Sequence, residues 1–193
     1  MISLFMKKQT NNNNSGFSLI EVIVALGLIA LIAGLIIANY REGERTNTIH
    51  FSAKDLATTL RQAQNNSLGA VRYDGRTPAG GWGVHIDLET ATTSYKLFAN
   101  LDYDEEDIDT YGYEAGQALP EHGGKTMDTK RGTFIATTSL GSMVSISFLP
   151  PHPETLIFDG TATSSEVEIL LENEAGETRK VEVNSLGLIK SGP

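Results

Sequence analysis

The chain has 193 residues, of which 15 are basic and 24 acidic, giving a formal charge of −9 at neutral pH. An acidic balance of this size argues against nucleic acid or anionic lipid as the partner of its surface. With no cysteines there is no disulfide, zinc–thiolate site or thiol nucleophile to consider, so a folded part relies on its core or on a metal.

Residues 1–16 form a short polar and basic leader, with Lys7 and Lys8, a polar tract over 9–15, and Gly16. A secretory signal carries its apolar core where this tract lies and its small cleavage residue after the apolar run; here the small residue comes before it. Cutting after Gly16 therefore removes the leader and keeps the hydrophobic segment. Taking 16 residues from 193 leaves 177, and losing Lys7 and Lys8 leaves 13 basic against 24 acidic side chains, or −11. That length accommodates one stem helix and one domain of about 110–130 residues.

From Phe17 to Ala38 the only charged residue is Glu21. At about 1.5 Å per helical residue, this run matches a bilayer core of about 30 Å. A carboxylate at the centre of such a helix costs about 2.5–3.5 kcal/mol, less near its end, where it can snorkel or protonate. Ala25, Gly27, Ala30, Ala33, Gly34 and Ala38 interrupt the branched surface. Ala30 and Gly34 make a small-xxx-small pair that permits close helix contact in lipid, although such residues are also ordinary in membrane helices.

Beyond Ala38 the pattern becomes one-sided. Ile49, Ala53, Leu56, Ala57, Leu60 and Ala63 recur at helical spacing, while Arg41, Glu42, Glu44, Arg45, Lys54, Asp55 and Arg61 take other positions. This predicts one continuous stem, with Gly43 as a weak point for a bend or local melting. Stop signals over 65–69 end it near Leu68. The expected layout is a leader (1–16), a membrane half of the stem (17–38), an amphipathic half (39–68) and a β head (69–193).

Residues 81–88 alternate, with Trp82, Val84, Ile86 and Leu88 on one face and His85 on the other, which reads as the surface. Further strands are expected over 92–99, 133–137, 143–149 and 155–158. The last two are separated by Pro150, Pro151, His152 and Pro153, a corner that no central strand crosses. Residues 166–171 and 179–183 flank Glu174-Ala175-Gly176-Glu177 as a closing hairpin, and 186–189 adds a short edge strand. Seven or so antiparallel strands and no second long helix predict an α+β fold, a stem helix packed against an antiparallel sheet.

Asp102, Asp104, Glu105, Glu106, Asp107 and Asp109 form the densest charge cluster, in a loop with Tyr103, Tyr111 and Tyr113. Hard oxygen donors at alternating positions make Asp102, Asp104, Glu106, Asp107 and Asp109 weak calcium candidates. The glycine and terminal glutamate of an EF-hand loop are missing, and a solvated loop is the plainer reading. His50, His85, His122 and His152 are dispersed, and HExxH, Gly-x-Ser-x-Gly and Walker patterns are absent from the sequence. Neither an enzyme nor a cofactor is expected.

Gly16 followed by Phe17-Ser18-Leu19-Ile20-Glu21-Val22, near the N-terminus and ahead of an apolar helix, resembles the class III signal of type IV prepilins and pseudopilins. The resemblance implies that a prepilin peptidase cleaves between Gly16 and Phe17 and that the new Phe17 amine is N-methylated. It also implies that Glu21 pairs with the Phe17 amine of a neighbouring subunit during filament assembly. Cleavage turns a neutral amide into a charged amine one turn from Glu21, so processing creates the partner of the buried acid. Such a pair selects register more than it adds stability.

Within these families, residues 60–64, 81–84, 146–148 and 184–187 make the head similar to the GspH/FimT type of minor pseudopilin. The implied function is a structural subunit of a type II secretion pseudopilus, a type IV pilus or a DNA-uptake filament. It would sit in the inner (cytoplasmic) membrane as a single-pass protein with its head outside the cytoplasm. Implied partners are other pilin or pseudopilin subunits and an inner-membrane assembly platform. The alternative is a membrane-anchored binding domain whose loops at 70–80 and 100–130 recognise an exported substrate or a surface.

Overall fold

The structure, a computed structural model, describes residues 17–90, 92–113, 125–130, 132–151 and 154–193. A single long helix, α1 (Leu19–Leu68), is followed by antiparallel strands β1 (Trp82–Asp87), β2 (Ser94–Ala99), β3 (Lys125–Asp128), β4 (Thr133–Thr138) and β5 (Met143–Leu149). Then come β6 (Glu154–Phe158), β7 (Thr163–Ser164), β8 (Glu166–Asn173), β9 (Thr178–Asn184) and β10 (Ile189–Gly192). The chain divides into two compact units between Glu42 and Gly43, although the backbone stays helical through Gly43, where a bend or melting was expected.

The first unit is the apolar part of α1. Leu19–Ile37 has a mean hydropathy of 2.9 and buries none of its surface within the chain, so it is long and apolar enough to cross a membrane. A helix that is apolar all round has no polar face to offer water, which distinguishes it from the one-sided helix that follows.

In the second unit, Ile49, Ala53, Leu56, Ala57, Leu60 and Ala63 of α1 are all buried, the face picked out by their spacing. They join one core with inward residues of two sheets. The first sheet runs β3-β2-β1-β5-β6-β7 and contributes Trp82, Val84, Ile86, Leu97, Val144, Ile146 and Ile157 among others. The second runs β10-β9-β8-β4 and contributes Ile135, Val167, Ile169, Leu171, Val181 and Val183. Polar links tie the helix to this frame: Ser67 Oγ accepts from Trp82 N at 2.6 Å, and Gln64 Nε2 donates to the Gly187 carbonyl at 3.1 Å. Ser52 Oγ accepts from Lys130 N at 2.9 Å.

The α+β architecture expected from the sequence is present, with four corrections of detail. The strands form two sheets, and β3 and β7 were not foreseen because neither carries an apolar alternation. The edge strand expected over 186–189 is β10, which pairs with β9 only from Ile189 onward. The cause lies in Asn184, whose Oδ1 accepts from Leu186 N and Leu188 N and holds the intervening residues as a turn.

The last correction concerns His85. It is only 5% exposed and hydrogen-bonds through Nδ1 to Ser145 Oγ at 2.9 Å, because both faces of β1 are covered. The second covering layer is residues 100–113. Asn100 Nδ2 donates to the Thr110 carbonyl at 2.9 Å, Tyr113 stacks on His85 with centroids 4.7 Å apart, and Tyr111 meets Phe158 edge-on.

Candidate processing and assembly segment

The start of α1 is set by Ser18. Its carbonyl accepts from Glu21 N at 3.1 Å and Val22 N at 3.2 Å, and its Oγ accepts a further hydrogen bond from Glu21 N at 3.3 Å. Ser18 is thus the N-cap, satisfying one of the amide groups that a helix leaves open at its first turn. Ser18 and Glu21 stand at the spacing of a capping box, a signal present in the sequence and not used in reading it. Glu21 lies in the first turn, where the helix dipole favours a negative charge.

Phe17 precedes the cap, outside the helix, and its side chain is 81% exposed. Gly16 lies outside the described residues. Glu21 follows Phe17 by four positions, of which only those from Leu19 onward are helical. Behind Glu21 every large side chain through Ile37 is exposed, including Leu26, Ile29, Leu31 and Leu35. Gly27 and Gly34 have no atoms within 4 Å of a built Cβ, leaving shallow places where another helix backbone can approach.

The other sites considered from the sequence do not assemble into a reactive centre. Among the described residues no three His, Asp or Glu side chains gather as a metal-ligating group. Asp104 Oδ1 accepts from Glu106 N at 3.0 Å, Asp107 Oδ1 accepts from Asp109 N at 3.1 Å, and a short 3-10 helix spans Ile108–Tyr111. These carboxylates stabilise turns, and Asp102, Asp104, Glu106, Asp107 and Asp109 are not brought onto one point. Arg179 Nη2 donates to His50 Nε2 at 2.7 Å, linking β9 to α1. His122 and His152 lie outside the described residues. His85 is held neutral: burial, reinforced by the Lys96 ammonium and opposed by Asp87, lowers it from 6.5 to about 4.

Residues 11–37 match a family model described as the prokaryotic N-terminal methylation motif. The match covers residues 11–15, Gly16, Phe17, the Ser18 cap, Glu21 and the apolar helix, and it supports a membrane-anchored, type IV pilin-like protein with a structural role. Comparison with curated proteins and with solved structures gives no match.

Proposed function

We propose that this chain is a minor pilin or pseudopilin of the GspH/FimT type, made as a precursor and matured by a prepilin peptidase that cuts between Gly16 and Phe17. The leader is residues 1–16, the membrane and filament-core half of the stem 17–38, its amphipathic half 39–68 and the head 69–193. The new Phe17 amine is N-methylated, and Glu21 pairs with the amine of an adjacent subunit. Before assembly the protein is held in the inner membrane with its acidic head outside the cytoplasm. An assembly platform then inserts it among other subunits of a pseudopilus or pilus.

The observation that carries this reading is a fully exposed apolar helix with one carboxylate, Glu21, in its first turn behind a methylation motif. Leaving one partner of a desolvated ion pair alone is strongly unfavourable, so an acid kept at that position calls for a cation on an entering subunit. The head is consistent with the same reading, since among the described residues the buried core runs from Ile49 to Ile189.

The test is the N-terminal residue and intact mass of the protein from its native membranes, beside a Gly16→Lys variant. The expected product begins at methylated Phe17, with the variant retained at full length. A native chain that keeps residues 1–16 overturns the reading.

A further inference from the structure

Residues 100–113 lie on the face of the first sheet that turns away from the main core, and none of their side chains belongs to that core. The strand register puts Gly83 and His85 of β1, Lys96 and Phe98 of β2, Ser145 and Ser147 of β5 and Phe158 of β6 on this face. We propose that the contact of His85, Ser145 and Tyr113 is a proton-operated latch: the neutral imidazole holds residues 100–113 against the sheet, and protonation of His85 loosens them while the main core stays closed.

One hydroxyl joins the sheet to the layer. Ser145 Oγ is buried, lies 2.9 Å from His85 Nδ1 and accepts from Tyr113 N at 3.1 Å. A serine has a single hydrogen to donate, and a neutral imidazole that accepts at Nδ1 takes it. A protonated ring donates from both nitrogens, so Ser145 Oγ would meet two donors while its own hydrogen lost its acceptor in a buried place, which is the costly state of a polar group.

The surrounding charges act in the same direction. Lys96 stands directly opposite His85 on β2, with its Nζ 4.6 Å from the centroid of the Tyr113 ring that stacks on the imidazole. Like charges directly opposite on neighbouring strands repel. Asp87, two residues along β1, opposes that effect, whereas Ser145 of β5 and Phe158 of β6 bring no charge; burial outweighs both charges and keeps His85 neutral. The layer also rests on the sheet through Tyr111, edge-on to Phe158 at 6.1 Å, and Tyr113, edge-on to Phe98 at 5.6 Å. Covering those two phenylalanines keeps the layer closed at neutral pH. On the other side of the balance, Asn100 Oδ1 and Ser147 Oγ are buried without a hydrogen-bond partner among the described residues, and opening would give them water.

The experiment follows amide hydrogen exchange at Tyr113 and at Ile146 by NMR, on the full chain in detergent micelles from about pH 7 to 4.5, corrected for the intrinsic pH dependence of exchange, for wild type, His85→Gln and Ser145→Ala. In the opened layer His85 titrates near its free value of about 6.5, so the open population is expected to rise about tenfold per pH unit below that value. Tyr113 is expected to exchange at least about tenfold faster than Ile146 at every pH, because it is released by a local opening and Ile146, in the middle of the sheet, is not. In His85→Gln the corrected rate at Tyr113 is expected to be flat with pH. Ser145→Ala removes the acceptor of Tyr113 N–H and is expected to raise exchange there about fivefold at pH 7.

Equal rates at Tyr113 and Ile146 overturn the inference, since the layer would then leave only with the whole fold. So does a wild-type rate at Tyr113 that ignores pH, or a glutamine variant whose rate climbs as steeply as wild type. Exchange in Ser145→Ala at the wild-type rate overturns it as well. If the glutamine variant does not fold, the wild-type pH dependence and Ser145→Ala decide the matter.

Discussion

The buried histidine makes the stability of the head depend on pH in a defined way. His85 titrates near 6.5 in an unfolded chain and at about 4 in the fold, because burial disfavours its charged form and Lys96 adds to the effect. Between those values the unfolded state binds more protons, so stability rises with pH across the window and is lost as pH falls from about 6.5 toward 4. The full difference corresponds to roughly 3 kcal/mol, with a limiting slope of about 1.4 kcal/mol per pH unit. Carboxylates such as Asp87, held low by hydrogen bonds from Thr90 and Glu89 despite its desolvation, shed their contribution only below the usual carboxylate range. The assay is urea unfolding of residues 43–193 at half-unit intervals from pH 7.5 to 4, for wild type and His85→Gln. The glutamine variant is expected to be flat from pH 6.5 to 5, where wild type declines. Parallel curves for the two proteins would refute the burial argument.

The fragment 43–193 is itself expected to fold and stay monomeric, since every core residue buried among the described residues lies between Ile49 and Ile189; analytical ultracentrifugation and a cooperative thermal transition check this. Ser67→Ala removes the acceptor of the buried Trp82 N–H and is expected to cost about 1–3 kcal/mol, or a fall in Tm of several degrees by calorimetry. Gly81→Ala meets both an unfavourable φ of 71° and a Cβ position 1.8 Å from the Phe148 carbonyl oxygen, so its expected cost exceeds about 4 kcal/mol. Gly176→Ala has a similar φ of 78° but open space around it, and is expected to lose only about 1–2 kcal/mol. Equal losses for the two glycine variants would show that close approach at Gly81 is unimportant.

What the sequence reveals about this fold follows the range of the interactions involved. The buried stripe of α1 repeats within single turns, and β1, β5 and the β8–β9 hairpin carry their own alternation or turn chemistry, so each is legible locally. His85 was misread because alternation along β1 reports only that two faces exist. Whether the second face is wet depends on Tyr113, which the loop after β2 brings over His85 and against Phe98 of β2. The acidic cluster lies in the same loop: its carboxylates were visible, but the use of Asp104 and Asp107 in closing turns was not. The strand β10 was displaced by a side chain, Asn184, whose two hydrogen bonds delay the ladder to Ile189.

The N-terminal methylation motif was legible for a different reason, since it is written in consecutive residues and needs no tertiary partner within the chain. Ser18 belongs to the same logic: its cap is local, and its spacing to Glu21 was readable. The two parts of α1 solve different problems with one backbone. Among the described residues the side chains from Leu19 to Ile37 are all exposed, an apolar surface suited to lipid or to other helices, on which the one carboxylate, Glu21, is costly without a cation or a proton. From Ile49 to Ala63 the apolar stripe of α1 is buried against the sheets of its own unit, and Ser52, Thr59 and Ser67 are buried beside it. Among the described residues the buried core runs from Ile49 to Ile189, so substitutions within Leu19–Ile37 leave every buried core side chain in place, whereas substitutions on the Ile49–Ala63 stripe remove part of that core.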